Sequence, residues 1–238
     1  MLPELALLPV IALIAAILQG AAGFGQALIA IPMFALVMDI RIAVPLSLLN
    51  GLLINVTMMT KLHERLDFGK SGPLIMSALF GIPIGVYFLA SWDPALIKKS
   101  IGLIVALYSA LSLTVLRNPP YIAQKLGWVF GFFSGIVGGA FGMNGPVSVV
   151  YVTSQKWELN AKKAALATYF VASNILILIL YMFTNKLINE AAANFAVCAP
   201  FVLAGTLAGH SLAGRIGGGI MRKVILALIL TMGVSLLV

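Results

Sequence analysis

Gly20-Ala21-Ala22-Gly23-Phe24-Gly25-Gln26 lies inside an apolar stretch running from Leu5 to about Met38. As one straight helix, Met1–Met38 would reach about 57 Å at 1.5 Å per residue, nearly twice the ~30 Å hydrocarbon core of a bilayer. The stretch must break, and glycine is where a backbone turns most easily. A second such stretch, Leu126 to about Thr153, is interrupted at Gly135 and at Gly138-Gly139-Ala140-Phe141-Gly142-Met143-Asn144-Gly145-Pro146. One broken apolar segment in each half sets the reading of everything between them.

Plain apolar spans fill the rest: about Ile42–Thr60, Pro73–Ser91 and Leu96–Leu116, then Ala164–Thr184, Phe195–Gly214 and Val224–Val238. Of the 238 residues 61% are hydrophobic and only 9% charged, with a mean hydropathy of +1.09. A soluble domain carries roughly a quarter charged residues, so this chain cannot cover itself in water. Period-2 alternation is absent, which argues against a β-barrel. The expected class is an all-α polytopic membrane protein. Nothing basic precedes the first apolar run, which opens Met1-Leu2-Pro3-Glu4; neither a cleaved leader nor a further domain is expected. Cys198, the single cysteine, cannot form an internal disulfide. The net charge of +8 is what cytoplasmic loops of membrane proteins carry, and no nucleic-acid module is present.

The order of segments repeats: a glycine-broken stretch, then three plain spans, then the same again. Phe24-Gly25 returns as Phe141-Gly142, 117 residues on; Gly81 and Gly85 return as Gly205 and Gly209, and Lys98-Lys99 as Arg222-Lys223, all 124 residues on. The expected organisation is one transmembrane domain, 1–238, holding repeat 1 at about 1–116, a link at 117–125, and repeat 2 at about 126–238. Charge then sets direction. Lys61, Arg65 and Lys70 share one loop, Arg117 and Lys125 another, Lys156, Lys162 and Lys163 a third, and Arg215, Arg222 and Lys223 a fourth. The positive-inside rule wants all four in the cytoplasm. This holds if each broken stretch leaves and returns on one side, with Lys98-Lys99 the one exception. Each repeat is then a re-entrant helical hairpin plus three crossings, an odd number, so the repeats are inverted, as in many secondary transporters.

All seven carboxylates, Glu4, Asp39, Glu64, Asp67, Asp93, Glu158 and Glu190, fall in expected loops or termini, as do all the lysines and arginines. Proton and metal-cation carriers usually hold an Asp or Glu at mid-depth, so a cation substrate is disfavoured. A broken helix suits an anion, because its N-terminus leaves unpaired N–H groups and a partial positive charge. Gly23, Phe24, Gly25 and Gln26 open one half-helix. Gly142, Met143, Asn144 and Gly145 open another, with Pro146 suited to a first helical turn. The amides of Gln26 and Asn144 would add donors. The competing reading is that these glycines only permit close helix packing. Asn50, Thr168 and Asn174 join as polar residues of plain spans, where interhelical hydrogen bonding is the alternative. His210, the sole histidine within a span, is the candidate for proton coupling; the competing reading is a helix-end histidine bonded to a carbonyl or water. There is no H-E-x-x-H, P-loop, Cys/His cluster or G-x-S-x-G; no enzyme activity, metal or cofactor is expected.

The first-half run, with Pro32 after it and Ala43-Val44-Pro45 leading into a span and a basic loop, resembles the sulfite exporter TauE/SafE family, the 4-toluene sulfonate uptake permease family. The second-half run, Ser134-Gly135 through Gly145-Pro146, is still more similar to that family's signature. Ala21-Ala22 and Gln26 stand where the family more often has glycine. The resemblance implies a permease of the bacterial inner membrane for sulfite, organosulfonates or related small anions, usually exporting them. A secondary anion transporter is therefore expected, with lipid and a small anion as partners and self-association left open. A passive channel for an anionic or neutral solute is the alternative, and a membrane scaffold a third.

Overall fold

The computed structural model describes residues 2–61, 68–113, 120–184 and 187–212, with 230, 231, 233 and 234 near the end. The span expected at Val224–Val238 and the basic loop at 215–223 lie outside the described residues, apart from those last four. Among the described residues there is no strand; nine α-helices and one short 3-10 turn account for nearly all of them. The helices are α1 (Leu2–Ala22), α2 (Gln26–Val37), α3 (Ile40–Lys61), α4 (Phe68–Ser91), α5 (Pro94–Leu113), α6 (Gly127–Phe141), α7 (Gly145–Ser154), α8 (Leu159–Thr184) and α9 (Ile188–Leu212). Five of them, α3, α4, α5, α8 and α9, are long and apolar enough to cross a bilayer. The shorter α2 and α7, of 12 and 10 residues, reach only about 18 and 15 Å and cannot.

Large apolar side chains point outward as well as inward. Phe80, Tyr87, Met182 and Phe183 are each at least 66% exposed, a surface that water would penalise and lipid accepts. The helices also extend beyond the apolar runs. Lys162 and Lys163 fall within the first turns of α8, and Glu190 in the first turn of α9. Lys98 and Lys99 lie near the start of α5, and Arg41 in the first turn of α3. These charges, expected in loops, are thus helical. A long basic side chain can bury its stem and carry its head to the interface, and an acid in a first turn meets the positive end of the helix dipole.

Small residues set which helices touch. Gly85 of α4 lies so close to α6 that an added Cβ would strike the Ile136 carbonyl and come within 2.7 Å of the Ala140 nitrogen. Gly209 of α9 meets α1 in the same way, at the Ile17 carbonyl. Contacts advance in register: Leu74 with Gly131, Ala78 with Gly135 and Val86 with Gly139 along α4 and α6, then Leu13 with Gly205 and Ile17 with Gly209 along α1 and α9. Both pairs are therefore parallel. The α3 and α8 helices run oppositely, since Gly51 meets Asn174 while Arg41 shares a cavity with Tyr181 and Thr184. Without a hydrophobic force between helices in lipid, such close backbone approach is the main source of cohesion.

Candidate functional site

Both glycine-rich breaks are present. The α1 helix ends where the Gly23 N–H donates to the Gln19 carbonyl at 2.6 Å, and α6 ends where the Gly142 N–H donates to the Gly138 carbonyl at 2.8 Å. Gly23 and Gly142 have φ of 88° and 67°, the left-handed conformation that closes a helix and that glycine adopts without penalty. They lie 119 residues apart. Gly25, at φ 106°, then turns the chain into α2, while Met143 and Asn144 lead into α7. Pro146 sits in the first turn of α7, where its missing N–H has no helical partner to lose.

The two half-helix starts face one cavity of about 30 Å³. Gly25, Gln26, Ala27 and Leu28 line it from the start of α2, and Gly142, Asn144, Gly145 and Pro146 from the second break. Ser47, Leu48, Gly51 and Asn55 of α3, Phe170 and Asn174 of α8, and Gln19 of α1 complete the wall. Gly51 and Asn174 fall near the middle of their helices, so the cavity lies near mid-depth. One water needs ~10–15 Å³ of such space, so the void takes a group of a few atoms. Among the described residues, no Asp, Glu, Lys or Arg lines it.

Amides organise the walls. On the first side, the Gln19 side chain donates to Asn55 Oδ1 at 2.9 Å and accepts from the Gln26 backbone N–H at 3.3 Å. Gln26 Nε2 donates to Ser47 Oγ at 3.0 Å, and Asn55 Nδ2 to the Gly51 carbonyl at 2.6 Å. On the second side, Asn144 Nδ2 donates to Ser173 Oγ at 2.6 Å and to Asn174 Oδ1 at 3.0 Å. The Asn144 carbonyl accepts from Ser134 and Ser148, each at 2.6 Å, and Tyr169 donates to Ser134 at 2.8 Å. Gly51 is where the sides meet: a Cβ there would lie 3.3 Å from both Asn174 Nδ2 and Gln26 Oε1. Beyond these bonds, the N–H groups of each first helical turn lack intrahelical partners and carry the positive end of the helix dipole. The arrangement can hold negative charge with neutral donors only.

Of the residues singled out in the sequence, Gly25, Gln26, Gly142, Asn144, Gly145 and Asn174 come together at this cavity. Gly23 closes α1 two residues away. Phe24 is half-buried against the core and Met143 fully buried in it, and neither lines the void. Thr168 is buried and donates to the Ala164 carbonyl at 2.9 Å. Asn50 is fully buried, and neither polar atom of its side chain has a hydrogen-bond partner. His210 lies exposed on the last turn of α9, where its backbone meets Gly20 of α1, and it is not among the lining residues. Sequence reading missed Gln19, although a glutamine seven residues before Gln26 in an apolar run was a visible signal. It also missed Lys163, whose Nζ donates to the Ala21 carbonyl at 3.1 Å while its stem packs on Gly23. Among the described residues, no three His, Cys, Asp or Glu side chains converge to hold a metal ion.

The family model described as sulfite exporter TauE/SafE matches residues 8–236. A curated relative, the probable sulfite/organosulfonate exporter TauE of Cupriavidus necator H16, is 23% identical over 181 residues, covering 73% of this chain and 70% of its own length. No solved structure matches.

Proposed function

This chain belongs to the sulfite exporter TauE/SafE family, and from that premise we propose that it is a secondary transporter exporting a small anion such as sulfite or an organosulfonate across the bacterial inner membrane. The observation that carries the reading is the convergence of two helix starts, at Gly25-Gln26 and Asn144-Gly145, on one cavity with no charged side chain among its described lining residues.

The proposed site is built from Gln26, Asn144 and Asn174 side chains with the first-turn amides of α2 and α7; Gly25, Gly142 and Gly145 let the backbone approach. An entering anion replaces its hydration with these donors. Because each donor is neutral, no fixed cation traps the anion, and release stays fast. The central void of about 30 Å³ is far narrower than a water-filled pore, which supports a carrier over an open channel. Lys163, on the Ala21 carbonyl, offsets the negative end of the α1 dipole beside the first break.

Two inverted repeats, at about 1–116 and 126–238, supply the moving parts in this proposal. Parallel α4 with α6, parallel α1 with α9, and antiparallel α3 against α8 all agree with a pseudo-two-fold axis in the membrane plane relating α1–α4 to α6–α9. The α1–α2 and α6–α7 hairpins enter from opposite sides, each turning back at its glycine cap. Alternating access is then a rocking of one repeat against the other about the central cavity. The test is uptake into proteoliposomes offered sulfite, sulfoacetate and a monovalent cation. Saturable, trans-stimulated anion flux is expected; flux of the cation alone would end the proposal.

A further inference from the structure

A second cavity, about 220 Å³, lies between the start of α3 and the ends of α4 and α8. Among the described residues its walls are Val86, Leu89, Ala90 and Leu187, with the hydroxyl-bearing Tyr181 and Thr184 and the charged Arg41. This chemistry differs from that of the central site. The central cavity offers several neutral donors and little room; this one offers the Arg41 guanidinium and several times the volume, its described walls mostly hydrocarbon. We propose that it is a vestibule site for organic anions bearing a short apolar tail, with the anionic head on Arg41 and the tail along Val86, Leu89 and Leu187.

The placement ties it to the transport path. Arg41 Nη2 donates to the Trp92 carbonyl at 3.2 Å, and the Trp92 ring stacks on Phe88, with centroids 4.7 Å apart, while tilting against Phe141 at 6.5 Å. Phe141 is the last residue of α6 before the Gly142 cap. Tyr181, on the cavity wall, donates to the Gly139 carbonyl at 2.6 Å, also in the last turn of α6. The vestibule thus abuts the second half-helix break and opens where Asp39–Arg41 and the end of α8 lie, the face expected outside. Guanidinium is the cation suited to this role, since it is weakly hydrated and presents its donors in a fork that matches a sulfonate or carboxylate. The tail contributes through the apolar area it removes from water. Each buried methylene is worth about a fourfold gain in affinity, up to the length that fills the cavity.

The inference rests on the anion-transport reading, and its test separates the two. Binding of methane-, ethane-, propane- and butanesulfonate to the purified protein in nanodiscs is measured by calorimetry, beside sulfite uptake by the same preparations. Wild type is expected to gain about fourfold per added methylene. Arg41→Gln should weaken butanesulfonate at least tenfold, while Arg41→Lys recovers part of that loss. Ala90→Trp, a change at an exposed residue that leaves the fold intact, should block the longer tails and spare methanesulfonate. Gln26→Ala should reduce sulfite uptake while leaving the fourfold gain per added methylene in place. Affinity independent of chain length, or unchanged in both Arg41→Gln and Ala90→Trp, would overturn the vestibule site even if Gln26→Ala still abolished uptake.

Discussion

Replacing Asn144 by aspartate makes the sharpest use of the proposed geometry, because shape is kept while a donor becomes an acceptor. In the native protein Asn144 Nδ2 faces Asn174 Oδ1 at 3.0 Å and Ser173 Oγ at 2.6 Å. In the Asn144→Asp variant an ionised carboxylate would face Asn174 oxygen to oxygen. The Asn174 amide can rotate to donate instead, giving up only a long 3.5 Å bond to the Leu48 carbonyl, and Ser173 can turn its hydroxyl. Folding should therefore survive. Binding should not: two unit charges about 5 Å apart at an effective dielectric of ~20 repel by about 3 kcal/mol, roughly a hundredfold or more in affinity. The variant's carboxyl is a neutral donor when protonated and repels the anion when ionised, so transport returns at low pH and is lost at high pH. The assay is proteoliposome uptake, taken as the ratio of variant to wild type at each pH so that titration of the substrate cancels. A ratio near one at all pH values would refute the placement of Asn144 against the anion.

Other expectations follow from the packing. Gly85→Val and Gly209→Val each force apart a parallel helix pair and should lower stability in detergent by about 1–3 kcal/mol by overpacking; thermal melting should show comparable losses for both, because the two contacts are equivalent. Gln19→Leu removes the acceptor for the Gln26 N–H and the donor to Asn55, so it should raise the apparent KM for the anion more than it lowers protein yield in membranes. Tyr181→Phe leaves the Gly139 carbonyl without its 2.6 Å donor and should cost about 0.5–2 kcal/mol, the range for hydrogen bonds within membranes, read from the unfolding midpoint. Lys163→Met keeps the stem on Gly23 but removes the bond to the Ala21 carbonyl; a slower turnover with normal expression is expected, and unchanged flux would remove Lys163 from the account.

Much of this architecture was legible because lipid restricts the options. An apolar stretch of 34 residues, Leu5 to Met38, is too long for one straight crossing, so a break near Gly20–Gly25 followed from length and glycine content, and Gly142 followed from its place in the second stretch. Gln26 and Asn144 stood out because amides are conspicuous beside half-helix starts in apolar sequence. What stayed hidden has two physical causes. Hydropathy counts Lys163 and Arg41 as charges to be left in loops, whereas their methylene stems let helices α8 and α3 begin earlier and carry both residues inward. Hydrogen-bond partners separated by 29 to 36 residues, such as Asn144 with Ser173 and Asn174 or Gln19 with Asn55, depend on which helix faces meet. Periodicity does not specify that when nearly every face is apolar. Asn50 was read as a site residue for its polarity, yet it is buried without a hydrogen-bond partner and off the cavity. A buried amide left unpaired destabilises by about 1–3 kcal/mol.

Anomalous diffraction from crystals of the protein soaked in selenite, a heavier analogue of sulfite, bears most directly on whether two helix openings hold an anion between them. The account predicts one strong selenium peak within hydrogen-bond reach of both the Gln26 and Asn144 side chains, lost in a Gln26→Ala, Asn144→Ala double variant. A peak elsewhere with the central cavity empty, or one that persists in the double variant, would contradict it.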